Sequence, residues 1–209
     1  MFKVKKDENG NITKLKTRVV AQGNFQIPDS DEHYLSPVVD IDTLRYFFSQ
    51  APRRFKYVHQ TDVAQAFLLA DLHKPIYITL PDIDNHRYKR VSGTKVYALH
   101  KSLYGLREAN RLFYELLHSV MISIGFERLK TNLCVYAKHA DTDKEIYICC
   151  YVDDSLIFTN SPQSLEDFKN AISTHLDITD FGEAHHCLGI TIKVCVDKRV
   201  RDIKRINWQ

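Results

Sequence analysis

The chain opens on alternating apolar and charged positions from Phe2 to Lys6, then Asp7–Gly10, then a second extended run from Ile12 to Val20. Asn9-Gly10 is a strong two-residue turn signal, so this start is expected to form a hairpin. A polar loop with Pro28 and Pro37 follows. Leu44, Phe47 and Phe48 then fall on one side of a short helix predicted over Asp42–Gln50, which Pro52 should end. Phe55–Asp62 alternates as a strand does and runs into Val63–Ala70, whose composition is helical. Ile76–Leu80 and Lys95–Leu99 read as two further strands. Between Arg107 and Ile124 the apolar residues recur three and four apart, which predicts a helix buried along that face, with Gly125 as its C-cap. Cys134–Ala137, Ile146–Val152 and Ser155–Thr159 read as strands. Ser161-Pro162 opens a helix carrying Leu165, Phe168, Ile172 and Leu176, and a last strand covers His186–Val196. The mixture, with its hairpin connections, predicts an α+β fold: an antiparallel sheet with helices packed on one face.

With 44% hydrophobic and 11% aromatic residues among 209, the chain can bury a substantial core. It contains no apolar run long enough to span a membrane, and the basic start lacks the apolar core of a signal peptide. Cys134, Cys149, Cys150, Cys187 and Cys195 are an odd set without CxxC spacing, which fits a reducing compartment better than a disulfide framework. Net charge is only +3. Basic residues are nevertheless concentrated at Lys3–Arg18, at Arg53–Lys56 and at Lys198–Arg205, the local positive density that phosphate-binding surfaces use and solvated faces also show.

The most informative stretch is Ile146–Thr159, in which two apolar strand-formers flank Asp153 and Asp154 where a hairpin should turn. Aspartates are ordinary at turns, because their side chains bond the local backbone. Flanks this apolar imply instead a buried hairpin with an exposed acidic tip. A further carboxylate, Asp62, ends the strand Phe55–Asp62. Carboxylates converging from separate strands suit hard divalent cations, which take a few protein oxygens and leave positions for water and phosphate. Paired ions of that kind serve in-line phosphoryl transfer. His185, His186 and Cys187 do not suggest zinc, since consecutive strand residues point to opposite faces.

Tyr151-Val152-Asp153-Asp154 between apolar strands resembles the signature of reverse transcriptases. The wider chain is similar to the Ty1/copia class of retrotransposon polyproteins. The resemblance is carried by Lys16–Gly23, Leu35–Asp40, Gln60–Leu72, Lys101–Arg107 and the pair Phe181–Ala184 with Leu188–Ile190, in the order and spacing of that class. It departs from the class pattern at Gln22, Asn110 and Phe113, where Lys, Pro and Trp are usual, and Asn110 bears on the shape of the template loop.

The resemblance implies an RNA-directed DNA polymerase core, a palm with partial fingers, using two Mg²⁺ or Mn²⁺ ions, an RNA template, a DNA primer and dNTPs. It implies no membrane association and a cytoplasmic setting, inside a virus-like particle, with the nucleus as second compartment. Asp62 and Asp153 become the principal metal ligands, with Asp154 in support and the Val63 carbonyl as a further ligand. Phe67 occupies the steric-gate position, with a plain core aromatic as the other reading. Lys16 and Arg18 are placed against the triphosphate, Arg18 foremost, although either could be a solvated edge residue. Tyr104 and Gly105 belong to the nucleotide- and template-contacting loop. Leu188, Gly189 and Ile190 belong to the primer grip, where Gly189 could equally mark a bulge. Residues 1–209 are expected to form one reverse transcriptase domain cut at both ends, with 197–209 a divergent basic tail and without thumb, RNase H, integrase or protease. The other readings are an inactive transposon remnant and a non-catalytic nucleic-acid-binding module.

Overall fold

A computed structural model describes residues 2–6, 11–27, 34–80, 96–188, 190–192, 194–196 and 201–203. In chain order the elements are β1 (Phe2–Lys6), β2 (Ile12–Thr17), a 3-10 turn (Gly23–Phe25), α1 (Ile41–Arg54), β3 (Tyr57–Val63), α2 (Ala66–Leu69), β4 (Asp71–Thr79) and β5 (Val96–Lys101). There follow α3 (Ala109–Ser123), β6 (Glu127–Arg128), β7 (Val135–Lys138), β8 (Ile146–Tyr151), β9 (Asp154–Thr159), α4 (Pro162–Ser173) and β10 (Ile178–Glu183). The chain closes on β11 (His186–Cys187), β12 (Ile190–Thr191), β13 (Val194–Val196) and β14 (Arg201–Ile203).

Two compact units emerge, one of residues 1–35 and 67–113, the other of residues 36–66 and 114–209. The first holds two antiparallel ribbons, β1–β2 and β4–β5. The opening hairpin was expected; its turn at Asn9-Gly10 lies outside the described residues. In the second unit six strands form one sheet in the order β10-β3-β9-β8-β7-β6, antiparallel throughout.

Side-chain alternation gives this sheet two working faces. On one, α1 lays Phe47 and Phe48 against Phe158, with ring centroids 5.1 and 5.5 Å apart, and Phe55 and Tyr147 complete the cluster. On the other, the α4 residue Lys169 reaches His59 of β3, and the α3 residue His118 meets Tyr136 of β7. The expected α+β fold is present, with α3 and α4 on one face of the sheet as the pattern suggested. α1 lies on the opposite face, because its apolar stripe of Leu44, Phe47, Phe48 and Ala51 matches the aromatic side of β8 and β9. Each of the buried leucine and phenylalanine side chains in that stripe contributes about 1.5–3 kcal/mol.

Helix ends follow local chemistry. Asp40 caps α1, accepting from the Thr43 backbone N–H at 2.7 Å and the Thr43 hydroxyl at 2.7 Å, and these bonds hold its carboxyl below the usual range. Ser161 caps α4, and Pro162 fills the first turn. Gly125 closes α3 at φ +84°, with the Phe126 N–H reaching back to the Met121 carbonyl at 3.0 Å.

Pro52 does not end α1; the helix continues to Arg54. Proline removes one N–H so close to the C-terminus, and the Arg54 guanidinium fixes the last turn by bonding Glu145, the residue just before β8, Nε to Oε1 at 2.7 Å. Val63–Ala70 is a strand end, a turn and a single helical turn rather than a helix. The single strand expected over His186–Val196 is broken into β11, β12 and β13, and β10 was not anticipated.

Candidate active site

β3 and β9 are antiparallel neighbours whose register places Asp62 directly opposite Asp154. β8 and β9 are joined by a two-residue turn, Val152-Asp153, closed by the pair Tyr151 and Asp154. A direct cross-strand pairing and a tight turn thus carry all three aspartates to one end of the sheet. One carboxylate oxygen from each of Asp62, Asp153 and Asp154 lies within 4.8 Å of the other two, and all three residues are half-buried.

The tip of the hairpin is held under strain. Val152 sits at φ +56°, a left-handed conformation that a β-branched residue seldom takes. The surrounding backbone compensates. The Val63 N–H donates to the Asp153 carbonyl at 2.9 Å, tying the turn to the end of β3, and the Ala64 N–H donates to the Asp177 carbonyl at 2.8 Å just before β10. Val63 itself is buried.

Burial raises the Asp154 carboxyl above the usual carboxylate range, the Gln60 amide pulls it down, and the Asp153 charge pushes it up. Gln60 Nε2 donates to Asp154 Oδ1 at 3.2 Å. Sequence reasoning passed over Gln60, although its position offered a signal. It lies two residues before Asp62, on the face of the strand that also carries Val58, where a buried amide stands between an apolar residue and a carboxylate.

All three donors are oxygens, converging and partly open to solvent. That donor set suits a hard divalent ion such as Mg²⁺ or Mn²⁺ and is a poor match for zinc. Among the described residues no other group of His, Cys, Asp or Glu has this convergence. His186 is exposed and Cys187 buried, as expected of neighbours on one strand.

The nucleotide-binding candidates lie in the first unit. The Arg18 guanidinium stands 5.2 Å from the centre of the Tyr104 ring. Phe67, on α2, meets Tyr104 edge-on at 4.9 Å and Phe113 at 6.2 Å. The Ala21 N–H donates to the Tyr104 carbonyl at 2.7 Å, and the Gly23 N–H to the Gly105 carbonyl at 3.1 Å. Gly105 sits at φ +89° with Ala21 O 2.2 Å from where a Cβ would be, so only glycine fits. Lys16 pairs with Lys3 in the β1–β2 register. Of the primer-grip candidates, Leu188 is half-buried at φ +50° between β11 and β12, and Ile190 pairs with Cys187. Gly189 lies outside the described residues.

The family described as "Reverse transcriptase (RNA-dependent DNA polymerase)" matches residues 1–207. The chain is 34% identical, over 92% of its length, to the retrovirus-related Pol polyprotein from transposon TNT 1-94 of Nicotiana tabacum. It is 31% identical over 92% to that from transposon RE1 of Arabidopsis thaliana. It is 30% identical over 85% to the transposon Ty1-BR Gag-Pol polyprotein of Saccharomyces cerevisiae. The matched part is only 14%, 13% and 10% of those relatives, respectively.

Proposed function

The chain belongs to the reverse transcriptase family, and from that premise we propose that its second unit is the palm of a Ty1/copia-type RNA-directed DNA polymerase. The observation that carries the reading is the meeting of Asp62, Asp153 and Asp154 at one half-open point. Asp62 and Asp153 are the principal ligands for two Mg²⁺ or Mn²⁺ ions, with Asp154 in support and the Val63 carbonyl as a further ligand. Bound there, such ions supply positive charge where the attacking and leaving oxygens of a phosphoryl transfer become negative. The reaction joins the primer 3′-hydroxyl oxygen to the α-phosphorus of a dNTP and releases pyrophosphate.

The chain's own contribution is position. The β3–β9 register sets the separation of Asp62 and Asp154, and the Val63 N–H fixes the turn that carries Asp153. Lys16 and Arg18 bind the triphosphate, Phe67 excludes a ribose 2′-hydroxyl, Tyr104 and Gly105 contact nucleotide and template, and Leu188, Gly189 and Ile190 grip the primer. RNA template and DNA primer are the partners, within a cytoplasmic particle. Among the described residues no helix is long and apolar enough to cross a membrane.

The test is primer extension on an RNA template with Mg²⁺ and dNTPs, comparing the chain with Asp153→Asn. Extension by the wild type that disappears in the variant supports the polymerase. RNA binding without extension in either protein contradicts it and favours a binding module.

A further inference from the structure

Gln60 is nine-tenths buried, at 9% exposure, on the face of β3 that also carries Asp62. Its partner across the ladder is Leu156, itself 2% exposed. An apolar side chain would suit that neighbourhood, and burying an amide costs free energy unless its polar atoms find partners. The Nε2 group finds one diagonally, two positions along β9, in Asp154 Oδ1 at 3.2 Å. Diagonal neighbours across an antiparallel pair are within reach of a long side chain, whereas a shorter Asn would stop short.

We propose that Gln60 is a positioning residue for the carboxylate centre. Its amide fixes the rotation of the Asp154 side chain and holds one oxygen, so that the other is presented toward Asp62 and Asp153. Three carboxylates this close repel one another. Without a donor behind it, the Asp154 carboxylate would turn away from its neighbours when no cation is present, and cation binding would have to reorder it. Groups that orient metal ligands in this way commonly change metal affinity 10–100-fold when removed. This role rests on the reading of the three aspartates as a divalent-metal site.

The test measures Mn²⁺ binding to the full chain by the electron paramagnetic resonance signal of free Mn²⁺, with neither nucleotide nor primer present. Gln60→Met keeps the side-chain shape and removes the donor; it should weaken binding about ten-fold. Gln60→Asn keeps an amide that cannot reach Asp154 and should lose as much, so the result does not depend on one variant folding. Introduced into Asp154→Asn, Gln60→Met should change affinity by less than about two-fold, because its effect passes through a carboxylate already gone. Wild-type affinity in both Gln60 variants, or an equal loss with and without Asp154, overturns the positioning role alone. A wild-type chain that binds no Mn²⁺ overturns the metal-site reading and the role of Gln60 with it.

Discussion

Asp62 and Asp154 face each other as direct partners in the β3–β9 ladder. Their proximity is therefore a matter of strand register. A slip of one residue would send one carboxylate to the opposite face of the sheet. The register is fixed by the burial of Leu156 and Phe158 against α1, so the aromatic core and the acidic site are one structural problem.

Neutralising one member of the trio should separate function from stability. Asp153→Asn is expected to reduce primer extension by at least about 100-fold, the loss typical when charge stabilisation is removed from such a centre. Without divalent ions the same variant should be more stable than wild type by up to about 1 kcal/mol, since it relieves like-charge crowding. Urea unfolding in EDTA beside extension assays checks both. A variant that loses activity and stability together would point to a folding defect.

Arg54 fastens the end of α1 to the sheet. Its guanidinium bonds the Glu145 carboxylate, whose side chain is only 8% exposed, and also the Tyr147 hydroxyl at 3.1 Å. Arg54→Met leaves that carboxylate buried without its cation and should cost about 3 kcal/mol in urea unfolding. Arg54→Met combined with Glu145→Gln should recover part of the loss.

Gly105→Ala should destabilise the first unit by about 2 kcal/mol or more, because alanine is strained at φ +89° and its methyl would strike the Ala21 carbonyl. Limited proteolysis should show faster cleavage within residues 1–35 and 67–113. Unchanged cleavage would mean that the backbone there yields easily.

Stability should fall as the solution is acidified below the ordinary imidazole value of 6.5. Burial, then the Lys169 charge, lowers the His59 pKa, so the folded protein holds this ring neutral. Lys169 Nζ donates to its Nδ1 at 3.2 Å and pairs with Asp180 at 2.7 Å. A lowered pKa means that the unfolded chain takes up the proton first; the contribution is therefore present above pH 6.5 and lost as pH falls toward the folded value. Between pH 7.5 and 5 the urea midpoint of His59→Asn should drop less than that of the wild type. An equal drop would assign the effect to other groups.

The site was more legible in the sequence than the frame around it. Asp153 and Asp154 stood out because apolar β-formers bracket them, and Asp62 because it closes an alternating strand. β10 escaped notice because it is an edge strand with exposed Thr179, Asp180 and Phe181; hydrogen bonds to β3, more than side-chain burial, define it. Pro52 was misjudged because a proline's effect depends on how much helix follows it. The face occupied by α1 depends on which side of the sheet carries Phe158 and Tyr147, a long-range match that no local pattern contains. Gln60 was missed for a similar reason: its role exists only through a partner 94 residues away.

That Asp62, Asp153 and Asp154 hold divalent ions is tested most directly by locating the ions. Crystals of the chain soaked in Mn²⁺ and measured at the manganese absorption edge should show anomalous density among Asp62, Asp153 and Asp154, within coordination distance of at least two of the carboxylates. Density elsewhere with none at this point, or carboxylates turned apart in the presence of the ion, would contradict it.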